Sequence, residues 1–406
     1  MKKIAFITTG YFPVPAVEGG AVESLVTALL EQNEKKEEYH FVVYSSWNQT
    51  AKIIANQYKY TDVFFIRTPQ IVENLDRLVF FVVSKFFKKS KPLSYRYIFQ
   101  RLWFSLKVGW SLRRERFNRV VLENTPSTFI PLRLFGNKKR YRGKYLYHLH
   151  NKISNDMGCR KLISQSSGII GVSEFINEWF VEEFPDFNGK TYELKNCVTT
   201  VATTISSNVS IRNQWGIKSD DFVILYAGRL SDEKGVLELI QAFNMLELFN
   251  CKLLIVGGYY YNVPIHSDYE ARLIAEAKSA ESKIIFTGYV DREQLDAYYL
   301  TSDIAVFPAI WDEPAGLTVI EAMQNGVPVI TTYSGGIPEY VGNNNAILLH
   351  RDSNLVSNLA ASILQLYSNA QFRTQLGANG KRMASEYTTA KYYTNFEQII
   401  EKDDVQ

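Results

Sequence analysis

Short apolar runs rich in Val, Ile, Leu and Phe recur along the chain, separated by polar or helix-period sequence. That alternation marks parallel α/β sheets, whose strands are buried on both faces. KIAFITT (3–9) predicts a first strand, GYFPVPAVEGG (10–20) a glycine-rich loop, and AVESLVTALLEQ (21–32) an amphipathic helix. FVVYSS (41–46), DVFFIRT (62–68), RVVLEN (119–124), KYLYHLHN (144–151) and GIIGVS (168–173) predict further strands. A second series begins with DFVILYAGRL (221–230) and its helix EKGVLELIQAFNML (233–246). CKLLIVGG, KIIFTGYV, IAVFPA and VPVITT continue it as strands, and helical pattern resumes at 353–368 and at 379–401.

The pattern therefore describes two Rossmann-like α/β domains. The junction falls near KNCVTT (195–200), dividing the chain into 1–195, 196–385 and a terminal helix within 386–406. Ligands of such sheets sit at the carboxyl ends of the strands, and two domains facing each other across a cleft make that cleft the expected site.

Length and composition agree with this division. A chain of 406 residues exceeds what one core usually organises, and 46% apolar with 21% charged residues excludes a disordered chain. A net charge of +3 gives no argument for nucleic acid. Cys159, Cys197 and Cys251 form no disulfide or metal spacing and fit a reducing compartment. The N-terminal MKKIAFITTGYF starts like a signal peptide, but its apolar run breaks at Thr8 and no small-residue cleavage site follows, so it reads as a buried strand. LVFFVV (78–83) is far too short to span a bilayer. The expectation is a cytoplasmic protein, peripheral at the inner face of the membrane.

That last expectation rests on residues 85–119. Lys85, Lys88, Lys89, Lys91, Arg96, Arg101, Lys107, Arg113, Arg114, Arg116 and Arg119 stand there with Glu115 as the only acid. Phe86, Phe87, Tyr95, Tyr97, Phe99, Trp103, Phe104 and Trp110 are interleaved. Such a segment suits an anionic membrane surface. It equally suits a solvated helical face whose aromatic residues pack inward. No nucleic-acid-binding fold accompanies it.

The chemistry concentrates in the second half. Arg229 and Lys234 lie where a strand passes to a helix, a planar fork and a point charge able to meet phosphate oxygens. WDEPAGLTVIEAM (311–323) puts Pro314-Ala315-Gly316 ahead of an apolar helix whose first amides, near Gly316, Leu317 and Thr318, attract an anion such as a diphosphate. Glu313 and Glu321 cannot serve that anion. They suit diols on the same ligand, Glu313 the hydroxyls of a sugar and Glu321 those of a ribose. An unpaired carboxylate in LTVIEAM would be costly, so Glu321 needs a partner. His148 and His150 share one face of a strand, but no third metal ligand is evident and no metal is expected.

GRL…EKG, EPAGLTVIEAM, NGVPVI and GGIPE, in that order, resemble the retaining GT-B glycosyltransferases of family 4, with their paired-glutamate EX7E motif. The resemblance implies a sugar transferred from a nucleotide diphosphate, UDP the expected carrier, with retained configuration, no cofactor and no metal. It implies a saccharide, lipid-linked saccharide or glycoprotein acceptor, in bacterial polysaccharide or glycan assembly. By it, Arg229, Lys234, Glu313 and His150 act in catalysis, His150 at the donor sugar. Gly19, Gly20, Tyr289, Pro314, Ala315, Gly316, Leu317, Thr318 and Glu321 hold the donor, with the backbone at Gly288-Tyr289-Val290 facing the base. Asn196 is kept in the family's Asn-Gly-Val segment, but Cys197 replaces its glycine. Two rival readings share the fold: a catalytically silent partner or glycan-binding subunit, and a nucleotide-sugar epimerase. A dinucleotide oxidoreductase fails, because GYFPVPAVEGG is not G-x-G-x-x-G.

Overall fold

The computed structural model describes residues 1–86, 97–199, 205–258, 268–280 and 283–404. They form two compact units, Met1–Leu194 with Tyr392–Gln406, and Lys195–Lys391. Each is built on its own parallel sheet flanked by helices.

The strands of the first unit are β1 (Lys2–Ile7), β2 (Tyr39–Ser46), β3 (Thr61–Ile66), β4 (Arg119–Glu123), β5 (Tyr145–Leu149), β6 (Gly168–Gly171) and β7 (Lys190–Glu193). They pair in the order β3-β2-β1-β4-β5-β6-β7, all parallel. The order reverses between β1 and β4, so the loops leaving these two strands diverge and open a crevice at their carboxyl ends. β1 is sealed in the core: Phe6 meets Phe41 edge-on at 5.1 Å, and Phe396 from the last helix closes on it at 5.7 Å. That helix, Thr389–Asp404, is pinned to this unit at two more points. Tyr393 donates to Asn33 Oδ1 at 2.8 Å, and Arg119 Nη2 reaches the Asp403 carbonyl at 2.6 Å and Asp404 Oδ1 at 2.8 Å.

The second unit holds β8 (Phe222–Ala227), β9 (Cys251–Val256), β10 (Ile284–Gly288), β11 (Ile304–Phe307), β12 (Val329–Thr332) and β13 (Ile347–Leu349). Their order is β10-β9-β8-β11-β12-β13, again all parallel. Here the reversal lies between β8 and β11. Every residue of β8 is buried, as are Val236, Leu239, Ile240 and Phe243 of the helix Val236–Asn244. The two Rossmann-like parallel sheets are the fold class the apolar pattern predicts.

Two local expectations change. β7 and β13 have no counterpart in the sequence reading, because edge strands lack a continuous apolar run; β13 is only half-buried and β7 mostly exposed. The helical pattern at 379–401 belongs to two helices, Ala370–Ala384 and Thr389–Asp404, broken after Ala384. LVFFVV lies in the helix Gln70–Phe86, with Leu78, Phe81 and Val82 exposed. No described helix is long and apolar enough to cross a membrane. The three cysteines are free and buried, as their spacing predicts, and burial pushes the Cys197 and Cys251 thiols up to about 12. Phe87, Lys88, Lys89, Lys91, Tyr95 and Arg96 of the basic segment, and Thr200 of KNCVTT, lie outside the described residues.

Candidate functional site

In the second unit β8 ends at Ala227 and hands the chain to Gly228-Arg229. The Tyr226 hydroxyl donates to the Arg229 carbonyl at 2.8 Å, which fixes the backbone but leaves the side chain free to swing. Arg229 is 63% exposed at its side chain and among the described residues pairs with Glu233, at 3.4 Å. Lys234 closes a single 3₁₀ turn, Asp232–Lys234, just ahead of the helix Val236–Asn244.

The loop after β11 brings Glu313 to Lys234. Lys234 Nζ and Glu313 Oε2 form an ion pair, Trp311 Nε1 donates to the same carboxylate oxygen at 2.9 Å, and the ammonium lies 5.3 Å from the Trp311 ring centroid. The backbone of Glu313 is clamped as well. Its amide donates to Ser334 Oγ at 3.0 Å and its carbonyl accepts from Gly336 N–H at 2.8 Å. Gly335 permits this approach, since it sits at φ +50° and a Cβ there would stand 2.3 Å from the Glu313 carbonyl oxygen.

Gly316, in the left-handed region at φ +73°, ends the Glu-Pro-Ala-Gly turn and opens the helix Leu317–Gln324. The amides of Val319 and Ile320 return to the Gly316 carbonyl. Those of Leu317 and Thr318 have no carbonyl one turn back within the helix, and no side chain caps them. One turn on, Glu321 is 7% exposed and has the partner its apolar surroundings demand. Arg292 Nη1 contacts Oε1 at 2.9 Å and the Tyr299 hydroxyl donates to Oε2 at 3.1 Å. Burial raises the Glu321 carboxyl above the usual range, and the Arg292 charge and the Tyr299 hydrogen bond oppose it. Tyr289 follows β10, half-buried.

The first unit gathers different chemistry. Gly19 and Gly20, at φ +88° and +93°, lead into the helix Ala21–Lys36. A Cβ on Gly20 would meet Glu23 Oε2 at 2.3 Å. His148 and His150 do share one face at the end of β5, their ring centroids 4.1 Å apart. The expectation that no third ligand accompanies them is corrected: Glu123 pairs with His148 in the β4–β5 register and points its carboxylate at both rings. Glu123 Oε2 lies 3.1 Å from His148 Nδ1 and 3.2 Å from His150 Nε2. All three residues are buried, and their ligand atoms lie within 4.8 Å of one another, a set able to chelate a metal. They also partner one another without one, although among the described residues His148 Nε2 is buried with no hydrogen-bond partner. Burial pushes the Glu123 carboxyl up, but the His148 charge and the hydrogen bonds from both imidazoles outweigh it and hold the group down at about 2. Burial lowers His150 to about 4, so its imidazole is neutral at pH 7.

The structure thus joins Lys234 to Glu313, gives Glu321 its own partners and gives His150 a carboxylate. It does not join Arg229 to any of them. Trp311, Ser334, Arg292, Tyr299 and Glu123 are the residues that sequence reasoning missed. Trp311 stood two positions before Glu313, where an aromatic beside a carboxylate was a readable signal; the others come from separate elements.

Residues 208–383 match the family described as glycosyl transferases group 1. The lipopolysaccharide 1,2-N-acetylglucosaminetransferase of Salmonella typhimurium is 24% identical over 344 residues, 84% of this chain and 83% of that protein. The putative glycosyltransferase YtcC of Bacillus subtilis is 25% identical over 394 residues, 94% of this chain and 87% of that one. In fold the chain is similar to Anabaena HepE solved in complex with UDP and glucose, with a TM-score of 0.71 at 18% identity over 99% of this chain and 100% of that one. The chain is a glycosyltransferase: it carries a group 1 domain at residues 208–383, within a fold of two Rossmann-like units with GT-B neighbours.

Proposed function

We propose that the chain is a retaining, metal-independent transferase of family 4. It moves a sugar from a nucleotide diphosphate, UDP the carrier, to a saccharide, lipid-linked saccharide or glycoprotein in bacterial polysaccharide or glycan assembly. The observation that carries this reading is the Lys234–Glu313 ion pair, because it ties a cation to the turn that opens the helix Leu317–Gln324. An ammonium has three donors, so Lys234 can hold Glu313 and still meet a phosphate oxygen. Glu313 then accepts from sugar hydroxyls, and Glu321, already oriented by Arg292 and Tyr299, accepts from the ribose.

As the glycosidic bond breaks, negative charge builds on the departing diphosphate. Lys234, Arg229 and the amides of Leu317 and Thr318 stabilise that charge more strongly in the transition state than in the bound donor. The acceptor hydroxyl attacks from the face the diphosphate leaves and passes its proton to a phosphate oxygen. These cations take the place a metal holds in other transferases. His150, neutral at pH 7, suits a hydrogen bond to the donor sugar rather than an ion pair. Gly19 and Gly20 let the donor phosphate approach the backbone, and the Gly288-Tyr289-Val290 backbone faces the base. UDP in the HepE complex supports the choice of carrier.

A thermal-shift titration with UDP, GDP, ADP, CDP and NAD, each with and without EDTA, tests this. A ligand at roughly 100 times its dissociation constant stabilises the native state by about 2.7 kcal/mol. The expected result is a shift with UDP that EDTA leaves unchanged. A shift that EDTA abolishes refutes metal independence, and no shift with any nucleotide favours a silent partner.

The acceptor side carries the membrane part of the reading. Ile71, Leu75, Leu78 and Val82 recur at helical spacing and are exposed on the helix Gln70–Phe86. Leu102, Leu106 and Trp110 are exposed on the helix Ile98–Arg114, among Lys107, Arg113 and Arg114. An apolar stripe beside cations suits an anionic membrane surface at the inner face of the cell membrane. Sedimentation with anionic vesicles at low salt is the test, and absence of binding removes this part alone.

A further inference from the structure

The first unit contains a cavity of about 810 Å³, with Gly20 of the glycine loop on its rim. Its volume is that of a small-molecule site. It lies where the β1 and β4 loops diverge, lined by Thr9 and Gly10 on one side and Asn124 and Thr125 on the other. The remaining walls are unlike the rest of this unit. Arg67 and Arg101 line it together with Tyr11 and Trp47. The Arg101 guanidinium lies 4.7 Å from the Tyr11 ring centroid, and Arg67 lies 5.9 Å from that of Trp47.

Arg101 carries the argument. Among the described residues its Nε is buried with no hydrogen-bond partner, and burial lowers its pKa. A buried N–H without an acceptor is costly, and an anion in the cavity removes that cost. A second feature points the same way. Ala21 and Val22, the first residues of the helix Ala21–Lys36, line the same cavity, and no side chain caps that helix. Two carboxylates also line the cavity, and both are engaged. Glu23 is buried, its pKa raised by burial, and it accepts from Thr9 Oγ1 at 3.0 Å. Glu73 accepts from Gln70 Nε2 at 3.2 Å and lies 3.8 Å from Arg77.

We propose that this cavity is the acceptor site and selects an acidic acceptor: a saccharide whose carboxylate or phosphate is received by Arg101 and Arg67, beside the rings of Tyr11 and Trp47. The proposal rests on the glycosyl-transfer reading. The guanidinium forks suit either anion bidentately, so the shared chemistry is an anionic group on a sugar.

Calorimetric titration of the full chain, without donor, tests it with four probes: a glucuronate-ended oligosaccharide, its methyl ester, a phosphorylated glucose and a neutral oligosaccharide. At least one acidic probe is expected to bind about tenfold or more tighter than the ester or the neutral sugar, the value of one charge-assisted hydrogen bond. Which acidic probe wins identifies carboxylate or phosphate. Arg101→Gln should abolish the preference and Arg101→Lys should keep part of it, while UDP affinity stays unchanged in both. Where Arg101→Gln does not fold, Arg67→Gln gives the same readout. Affinity of both acidic probes no tighter than that of the ester and the neutral sugar overturns the proposal. So does displacement of the acidic probe by UDP, with UDP binding lost in Arg101→Gln, because the anion is then the donor's own diphosphate. Binding of UDP but of no saccharide overturns the acceptor site and leaves the donor reading standing. Binding of neither overturns both.

Discussion

The two units solve the same electrostatic problem in opposite ways. In the second, Lys234 and Glu313 form an ion pair at the mouth of a helix, each 18% exposed, with Arg229 more open still. In the first, Glu123, His148 and His150 are dry, and the hydrogen bonds of a carboxylate between two imidazoles do the work of solvent. An open cation keeps its charge at low desolvation cost and has donors to spare, which suits a group that must meet a diphosphate. A buried imidazole loses its charge, which suits a group that must hold a neutral hydroxyl.

The hardest blow to this contrast is Lys234→Ala. It removes a cation expected to act on developing charge, so kcat/KM should fall on the order of 10²–10³ with the melting temperature nearly unchanged. Activity within threefold of the parent would show that the ion pair only closes a loop. Lys234→Arg should recover part of the loss, since charge returns with altered geometry.

The buried site should respond in stability instead. Glu123→Ala leaves two buried imidazoles without an acceptor and should cost about 3 kcal/mol in urea denaturation. The same site gives the protein a pH dependence of defined sign. Between about pH 4 and 6.5 the unfolded chain protonates the His150 imidazole and the folded chain does not. The unfolded state therefore binds the extra proton, and stability falls as pH drops through that window; above it, His150 contributes nothing. Glu123 adds a second loss lower down, because its carboxyl, at about 2 in the fold, lies below its ordinary value of 4.5. A His150→Gln variant should flatten the upper step. A His150 imidazole titrating near 6.5 by NMR in the folded chain would refute the dry site.

The contrast also explains what the sequence revealed. Lys234, Glu313 and Glu321 lie in contiguous stretches, EKG and WDEPAGLTVIEAM, where a glycine turn, a helix start and a carboxylate inside an apolar run are all local signals. The contact between Lys234 and Glu313 needed only the loops after β8 and β11, two strands that pair in the sheet. Glu123 carries no such signal. It ends RVVLE, a strand like the others, and only the β4–β5 register brings it beside His148. Arg292 and Tyr299 reach Glu321 from another helix for the same reason. The sheets were legible because buried strands are uniformly apolar. The edge strands β7 and β13 were not, because exposure erases that run.

Glu321 tests where the open and dry designs meet, since it is buried yet paired with Arg292, whose charge opposes the rise that burial causes. Glu321→Ala should weaken UDP binding about tenfold through the ribose, the size of a hydrogen-bonding loss at a charged acceptor. Unchanged affinity would leave Glu321 as a partner of Arg292 and Tyr299 alone.

The finest test separates the two things Trp311 does for the open pair. Its Nε1–H donates to Glu313 Oε2 at 2.9 Å, and its ring lies under the Lys234 ammonium at 5.3 Å. Trp311→Phe removes the donor and keeps a ring. Glu313 still has Lys234, so the loss is that of one hydrogen bond at a partly exposed acceptor, about threefold to tenfold in kcat/KM. Trp311→Leu removes the cation–π contact as well, worth about another threefold. If Phe is harmless and Leu is not, the ring over Lys234 is the part that matters, and the orientation of Glu313 is left to Ser334 and Gly336, which hold its backbone from both sides.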